Sequence, residues 1–287
     1  MTEQVLKKES ISGIKDLPVL PEVAAQLLKI IHHASTSATD VANLISKDIG
    51  ITSKVLRMAN SAFYGIPRTI TTVQNAVVLL GMKVVNSLVL SASVGTLFPP
   101  EKKSSGVDKK SFWVHSLACA IASKKIAEKI KLAYVDPEEC FCAGLLHDIG
   151  KLVLNQYFKD SFIKSVNLAK IDNLPAYKAE CKIFDCSHTR VGDWLTCKWE
   201  LPIDLRNALI FHHDPASSST SEKITFIIHL ADYITHVLDM ATYKDEVLPR
   251  IHPDTQTILE ITDQDIISIK EYVPKEIEKL EVAFNFS

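Results

Sequence analysis

The chain has 287 residues, 47% hydrophobic and 23% charged, and its 32 Lys and Arg against 34 Asp and Glu leave a formal net charge of −2. This length buries a sizeable core in one large or two modest domains, and the composition excludes a disordered chain. Near-neutral charge removes the surplus of Lys and Arg on which affinity for nucleic acid or an anionic membrane depends, and only 9 glycines among abundant Leu, Ile, Val, Ala and Lys point to an all-α protein.

The opening stretch MTEQVLKKES is charged and lacks the apolar block and cleavage site of a secretory signal, so a cytoplasmic location is expected. Pro21 and Glu22 open a helix whose apolar residues Val23, Ala24, Leu27, Leu28 and Ile31 recur at helical spacing. Ser37 with Asp40 reads as a capping box for the next helix, and a third covers about Ile51 to Asn60. Gly65 and Pro67 separate it from a helix that starts at Thr71 or Thr72 and runs to Leu80, Gly81 punctuates, and another helix spans about Lys83 to Thr96. Lys83 and Asn86 interrupt the most apolar stretch, 77–98, so no membrane span is expected.

The segment PPEKKSSGVDKK, 99–110, cannot supply a buried face and reads as a linker between two lobes. Beyond it a helix covers about Ser111 to Ile130, and Asp136, Pro137 and Glu139 start another. Helical patterns follow near 162–170, 176–184, 188–199 and 203–213, then a helix capped by Ser219 and Glu222 to about Met240, and a tail helix from Thr262, capped by Asp265, with Pro274 as a kink or break. The cysteines, at 119, 140, 142, 181, 186 and 197, form no CxxC pair and read as reduced core thiols.

Histidine carries the chemistry, because seven of the ten fall in the second lobe. In LLHDIGK, 145–151, an apolar helix arrives at adjacent His147 and Asp148, with Gly150 freeing the backbone for a turn. Adjacent helical residues diverge by about 100°, so only a helix end aims both side chains at one point. A neutral and an anionic ligand with Lys151 one turn on fit a site holding a divalent metal and a phosphate together. Helix polarity alone accounts for His147 and Lys151 at a C-terminus but not for the charge of Asp148. His115 shares its face with the small residues Ala118, Cys119 and Ala122, and His188 stands one turn from Gly192, where a close approach would justify a glycine within a helix. His212 and His213 end a helix before Asp214 and Pro215. Asp232 lies on a stripe with Thr225, His229, Thr235, His236 and Asp239, which periodicity reads as a polar outer face.

The order His, His-Asp, late Asp resembles the HD superfamily of metal-dependent phosphohydrolases. The segments LPVLPEV (17–23), ANSAFYG (59–65), VVLLG (77–81), AGLLHDIGKL (143–152) and FHHDP (211–215) are similar to the HDOD family. That resemblance implies an N-terminal helical bundle packed on an HD-domain-like helical lobe, in bacterial signalling and regulatory proteins without a settled enzymatic activity. The ranges expected from it are an HDOD unit at 11–245, divided into 11–98, the linker 99–110 and 111–245, with a C-terminal helical tail at 246–287.

Similarity to the cyclic di-GMP phosphodiesterases of HD-GYP type implies His115, His147, Asp148 and Asp232 as core metal ligands. It adds His188, His212 and His213 as ligands of a second metal, and Lys151 as the phosphate contact. Two departures stand out: Ser111 occupies the place of a further glutamate ligand, and DPASSS, 214–219, replaces the GYP-bearing loop. Two functions are therefore weighed. One is a binding or scaffold module with a protein signalling partner and a nucleotide as a ligand to test. The other is a dinuclear metal phosphohydrolase in which Asp148 and Lys151 act on a nucleotide or cyclic dinucleotide. Iron, manganese or zinc, as one ion or two, suits the imidazole and carboxylate donors.

Overall fold

The structure, a computed structural model, describes residues 17–31, 33, 35–98, 108–130, 135–220, 222–243 and 247–284. Its regular structure is entirely helical among these residues. Most of the linker expected at 99–110 lies outside them. Contacts gather the described residues into two units: 19–98 with 272–284, and 17–18 with 108–271.

The first unit holds α1 (Glu22–Ile30), α2 (Ala38–Ile45), α3 (Ile49–Ala59), α4 (Val73–Leu80) and α5 (Met82–Leu97). Local chemistry sets each boundary. Ser37 and Asp40 form the reciprocal box: Asp40 N donates to Ser37 Oγ at 3.1 Å and Ser37 N to Asp40 Oδ2 at 2.9 Å. Helix α3 starts two residues before its apolar pattern because the Asp48 carboxylate accepts from Ile51 N at 2.9 Å. Thr72 caps α4 through Asn75 N, and Gly81, at φ 89°, ends α4 and opens α5 at once. Asn60 closes the loop between α3 and α4 by hydrogen-bonding both backbone groups of Ile70, at 2.7 and 2.8 Å.

The second unit contains α6 (Lys109–Ile130), α7 (Pro137–Leu146), α8 (Ile149–Tyr157), α9 (Lys159–Asp172), α10 (Ala176–Phe184), α11 (His188–Lys198) and α12 (Ile203–Phe211). A 3-10 turn at Pro215–Ser217, then α13 (Glu222–Val237), α14 (Thr255–Leu259) and the start of α15 (Asp263–Phe284) complete it. Helices α6 and α13 form its axis, because α6 is buried continuously from His115 to Ser123 and α13 from Ile224 to Asp232. A helix buried on every side belongs inside a core. They pack on each other, and α7 packs most extensively on α6. None of the described helices is long and apolar enough to cross a membrane.

Several sequence expectations change. Gly150 makes no turn: it sits in the first turn of α8, and the chain bends at Asp148 instead. A Cβ on Gly150 would lie 2.0 Å from the His188 carbonyl oxygen, so the glycine exists to let α8 cross α11 in backbone contact. On Gly192, the position expected to need that approach, a Cβ would meet Ile149 Cγ2 at 3.6 Å, an ordinary contact. Ser219 lies in a bend ahead of α13 rather than at its cap. Helix α15 continues through Pro274, and Thr262 shares the capping box with Asp265. Cys181 and Cys197 are exposed, off the buried faces of α10 and α11, whereas the other four cysteines are buried thiols.

Gly150→Ala is expected to destabilise by about 1–3 kcal/mol or more through backbone collision. Gly192→Ala should be neutral or gain up to about 1 kcal/mol from helix propensity. Denaturation midpoints of the two variants check this, and equal values would refute the crossing argument. A hydrogen bond from Lys129, then those from Thr262, holds the Asp265 carboxyl at about 2, below its ordinary 3.8. A depressed carboxyl stabilises above its unfolded value and loses that effect as pH falls through the folded one. The melting temperature of Asp265→Asn should therefore fall below that of the parent near neutral pH, with the gap closing between about pH 4 and pH 2. A gap that survives at the acid end would mean the charge does not hold the cap.

Candidate metal centre

The second unit brings all eight expected site residues together. His115 comes from the middle of α6, His147 and Asp148 from the junction of α7 and α8, Lys151 from α8, His188 from the start of α11, His212 and His213 from the end of α12, and Asp232 from α13. His147 keeps helical angles while Asp148 leaves them, at ψ 6°, and this change lets both side chains face one point. Asp148 also precedes α8, whose N-terminus favours a negative charge, so the junction tolerates it better than a helix end alone. The stripe bearing Asp232 faces inward: Thr225, His229, Asp232 and Thr235 are all buried, contrary to the outer face read from periodicity.

The Asp148 carboxylate divides the cluster. Its Oδ2 lies 3.3 Å from His115 Nε2 and 3.5 Å from His147 Nε2, while Asp232 Oδ1 stands 3.5 and 3.6 Å from the same nitrogens. Its Oδ1 lies 3.0 Å from His188 Nε2 and 3.9 Å from His212 Nε2, and His213 Nε2 is 3.2 Å from His188 Nε2. Lys151 Nζ sits 2.7 Å from Asp148 Oδ2. None of these contacts aligns as a hydrogen bond to Asp148, and the buried Nε2 of His212 also has no hydrogen-bond partner. Buried polar atoms lacking such bonds normally find partners of another kind, and the donors here are those of a divalent metal.

The opposite ring nitrogens show how the cluster could serve as a ligand set. His115 Nδ1 donates to the Met240 carbonyl at 3.0 Å, His147 Nδ1 to Gly144 O at 2.8 Å and His212 Nδ1 to Leu209 O at 2.8 Å, while His188 Nδ1 meets Glu180 Oε2 at 2.7 Å. Anchoring Nδ1 fixes the ring and presents the Nε2 lone pair, the usual arrangement around a protein metal. Burial opposes the Asp148 charge, but Lys151, His147 and His188 hold that carboxyl well below the usual range. For Asp232 burial is likewise outweighed, most strongly by His236. Burial, reinforced for His212 and His213 by neighbouring imidazoles, pushes His115, His212 and His213 down and keeps them neutral. Against burial, Glu180 and Asp148 lift His188 to about 9. The two ionised carboxylates and the neutral His115, His212 and His213 are in the protonation states that metals bind, whereas His188, and His147 against burial through nearby Cys119 and Asp148, are raised and would give up a proton to an ion.

Three residues, two buried and one half-buried, escaped the sequence reading of the site. Glu180 carries no signal, because its tie to His188 links the separate helices α10 and α11. His229 spends both nitrogens on backbone, donating from Nδ1 to His212 O at 2.7 Å and accepting at Nε2 from His252 N at 2.9 Å. His236, one turn beyond Asp232, was legible as a member of its stripe. Ser111 supplies no ligand oxygen to the centre, since its hydroxyl bonds Asp108 at the start of α6.

A helical unit with His, His-Asp and Asp meeting at one buried point defines a protein of HD type. The family model for the HDOD domain matches residues 17–215, more than half of the chain, and the chain belongs to the HDOD family. An HDOD domain protein of unknown function from Geobacter sulfurreducens is 25% identical with a TM-score of 0.78, covering 96% of this chain and 95% of that one. A candidate phosphohydrolase from Shewanella amazonensis SB2B is 24% identical with a TM-score of 0.74, over 95% and 96% of the two chains. A candidate signal transduction protein from Marinobacter aquaeolei VT8 is 18% identical with a TM-score of 0.79, over 94% and 60%. An uncharacterized protein of Treponema pallidum (strain Nichols) is 23% identical over 235 residues, and the match spans 82% of this chain but only 45% of that protein.

Glu180→Ala is expected to weaken metal affinity about 10- to 100-fold by releasing His188. Titration against a fluorescent chelator measures this, and unchanged affinity would show that Glu180 serves packing alone.

Proposed function

We propose that this protein is a cytoplasmic signalling regulator that acts as a binding module, and that its centre holds a divalent metal for structure rather than for turnover. The observation that carries this reading is enclosure. His115, His147, Asp148, His188, His212 and Asp232 are at most 3% exposed and Lys151 is 2% exposed, so these groups are withdrawn from solvent in this conformation and only His213 among the eight is partly exposed.

His115, His147 and Asp232 would hold one ion and His188, His212 and His213 a second, with Asp148 shared. Iron, manganese and zinc suit these donors. A bound ion supplies Lewis acidity and contributes its binding energy to folding. The chain's own groups do the remaining work: Lys151 balances Asp148, the Nδ1 anchors orient the rings, and the apolar faces of α6 and α13 exclude water. The partner is proposed to be a signalling protein, since the near-neutral charge argues against nucleic acid.

The second reading, a metal-dependent phosphohydrolase acting on a nucleotide or cyclic dinucleotide, is favoured by the complete ligand set and by Lys151 beside Asp148. The names of two structural relatives, a candidate signal transduction protein and a candidate phosphohydrolase, correspond to the two readings.

Elemental analysis of protein purified without chelator is expected to find about one or two ions per chain, lost in His147→Ala together with a lower melting temperature. Cyclic di-GMP and bis-p-nitrophenyl phosphate should remain intact with each metal added. Metal-dependent hydrolysis that disappears in Asp148→Ala would overturn the binding-module reading. Absence of metal, with His147→Ala as stable as the parent, would remove the metal centre itself.

A further inference from the structure

We propose that Tyr177 gates the metal centre, its ring being a movable cover over the His188, His212 and His213 side through which an ion enters and leaves. The inference rests on the metal-centre reading and adds to it the route of exchange.

Seven of the eight residues of the centre are buried, and His213 alone among them is partly exposed. His213 is therefore where the ligand set meets solvent, and its Nε2 lies 3.2 Å from His188 Nε2, deep in the same side. Tyr177 covers its ring: the two rings stack with centroids 4.4 Å apart and planes 18° from parallel.

Helix α10 divides two tasks along one face. Glu180, three residues beyond Tyr177 and so on its side of the helix, is 2% exposed and accepts from the His188 backbone N at 2.7 Å while meeting His188 Nδ1 at 2.7 Å. Phe184, at the far end, is fully buried with its ring 6.2 Å from that of Phe158. Tyr177 stands at the opposite, N-terminal end, half-buried, one residue into a helix whose start carries no side-chain cap. Rotation of such a side chain between rotamers uncovers His213 without disturbing Glu180 or the helix backbone.

A ring that covers a route slows entry and exit by one factor and leaves affinity alone, whereas a ring that orients a ligand changes exit and affinity together. Stopped-flow uptake of Zn²⁺ by the metal-stripped full chain, and its release into excess EDTA, separate these in the parent, Tyr177→Ala, Tyr177→Phe and Tyr243→Ala, with circular dichroism as the check on folding. Tyr243 is the comparison because its ring lies 5.5 Å from Lys151 Nζ, on another edge of the cluster. Loss of a stacked pair should quicken both uptake and release of an ion about two- to tenfold in Tyr177→Ala, with affinity held within about twofold. Tyr177→Phe keeps the ring and should exchange as the parent does. Unchanged rates in a folded Tyr177→Ala, or faster exchange in Tyr243→Ala alone, would overturn the gate and leave the centre standing. Faster release with unchanged uptake and a matching loss of affinity would make Tyr177 a positioning residue for His213 and would overturn the gate as well. A parent protein that takes up no metal would overturn both.

Discussion

The second unit is organised around one buried charge. Asp148 is 1% exposed, and an ionised carboxylate withdrawn from water is costly unless cations and polar donors surround it. Lys151 answers at 2.7 Å and His188 at 3.0 Å, and the remaining imidazoles close in from α6, α7 and α12. Because the groups come from different helices, those helices must cross at short range. Gly150 permits one crossing by leaving room for the His188 carbonyl. Gly144 permits another, since a Cβ there would lie 2.8 Å from the Ala120 Cα and the Cys119 carbonyl oxygen of α6.

The sequence disclosed the helices well, because their ends are written in local chemistry: Ser37 with Asp40, Thr72 at α4, Asp136 before Pro137. The eight residues expected at the site do come together in the second unit, and that expectation rested on the motif order and its resemblance to HD-type proteins rather than on the spacing of any one histidine. It failed where the reason lay between helices. Gly150 was assigned to a turn because its neighbour across the gap, the His188 carbonyl, is 38 positions away in sequence. Asp232 read as a polar surface residue because periodicity separates faces without saying which one the core claims, and here the polar stripe turned inward to meet the cluster. Glu180 could not have been found, since only the fold brings α10 beside the start of α11.

Closure and chemistry pull against each other at this centre. The hydrogen bonds that orient the rings and the burial that keeps several of them neutral also leave only His213, stacked on Tyr177 at 4.4 Å, partly exposed at its edge. A site built for turnover needs an entrance as well as ligands, whereas a site built to hold a metal needs only the ligands. In this conformation seven of the eight groups are buried and His213 alone among them is partly exposed.

The bond from His115 Nδ1 to the Met240 carbonyl spans 125 positions. A chain made from its N-terminus carries the first ligand long before the group that aims it, so the centre cannot be completed until nearly the whole unit has left the ribosome. Contacts of such long range form slowly and late in folding. Uptake of the ion would then report on the finished fold, and a truncated or stalled chain would carry most of the histidines without the geometry to use them.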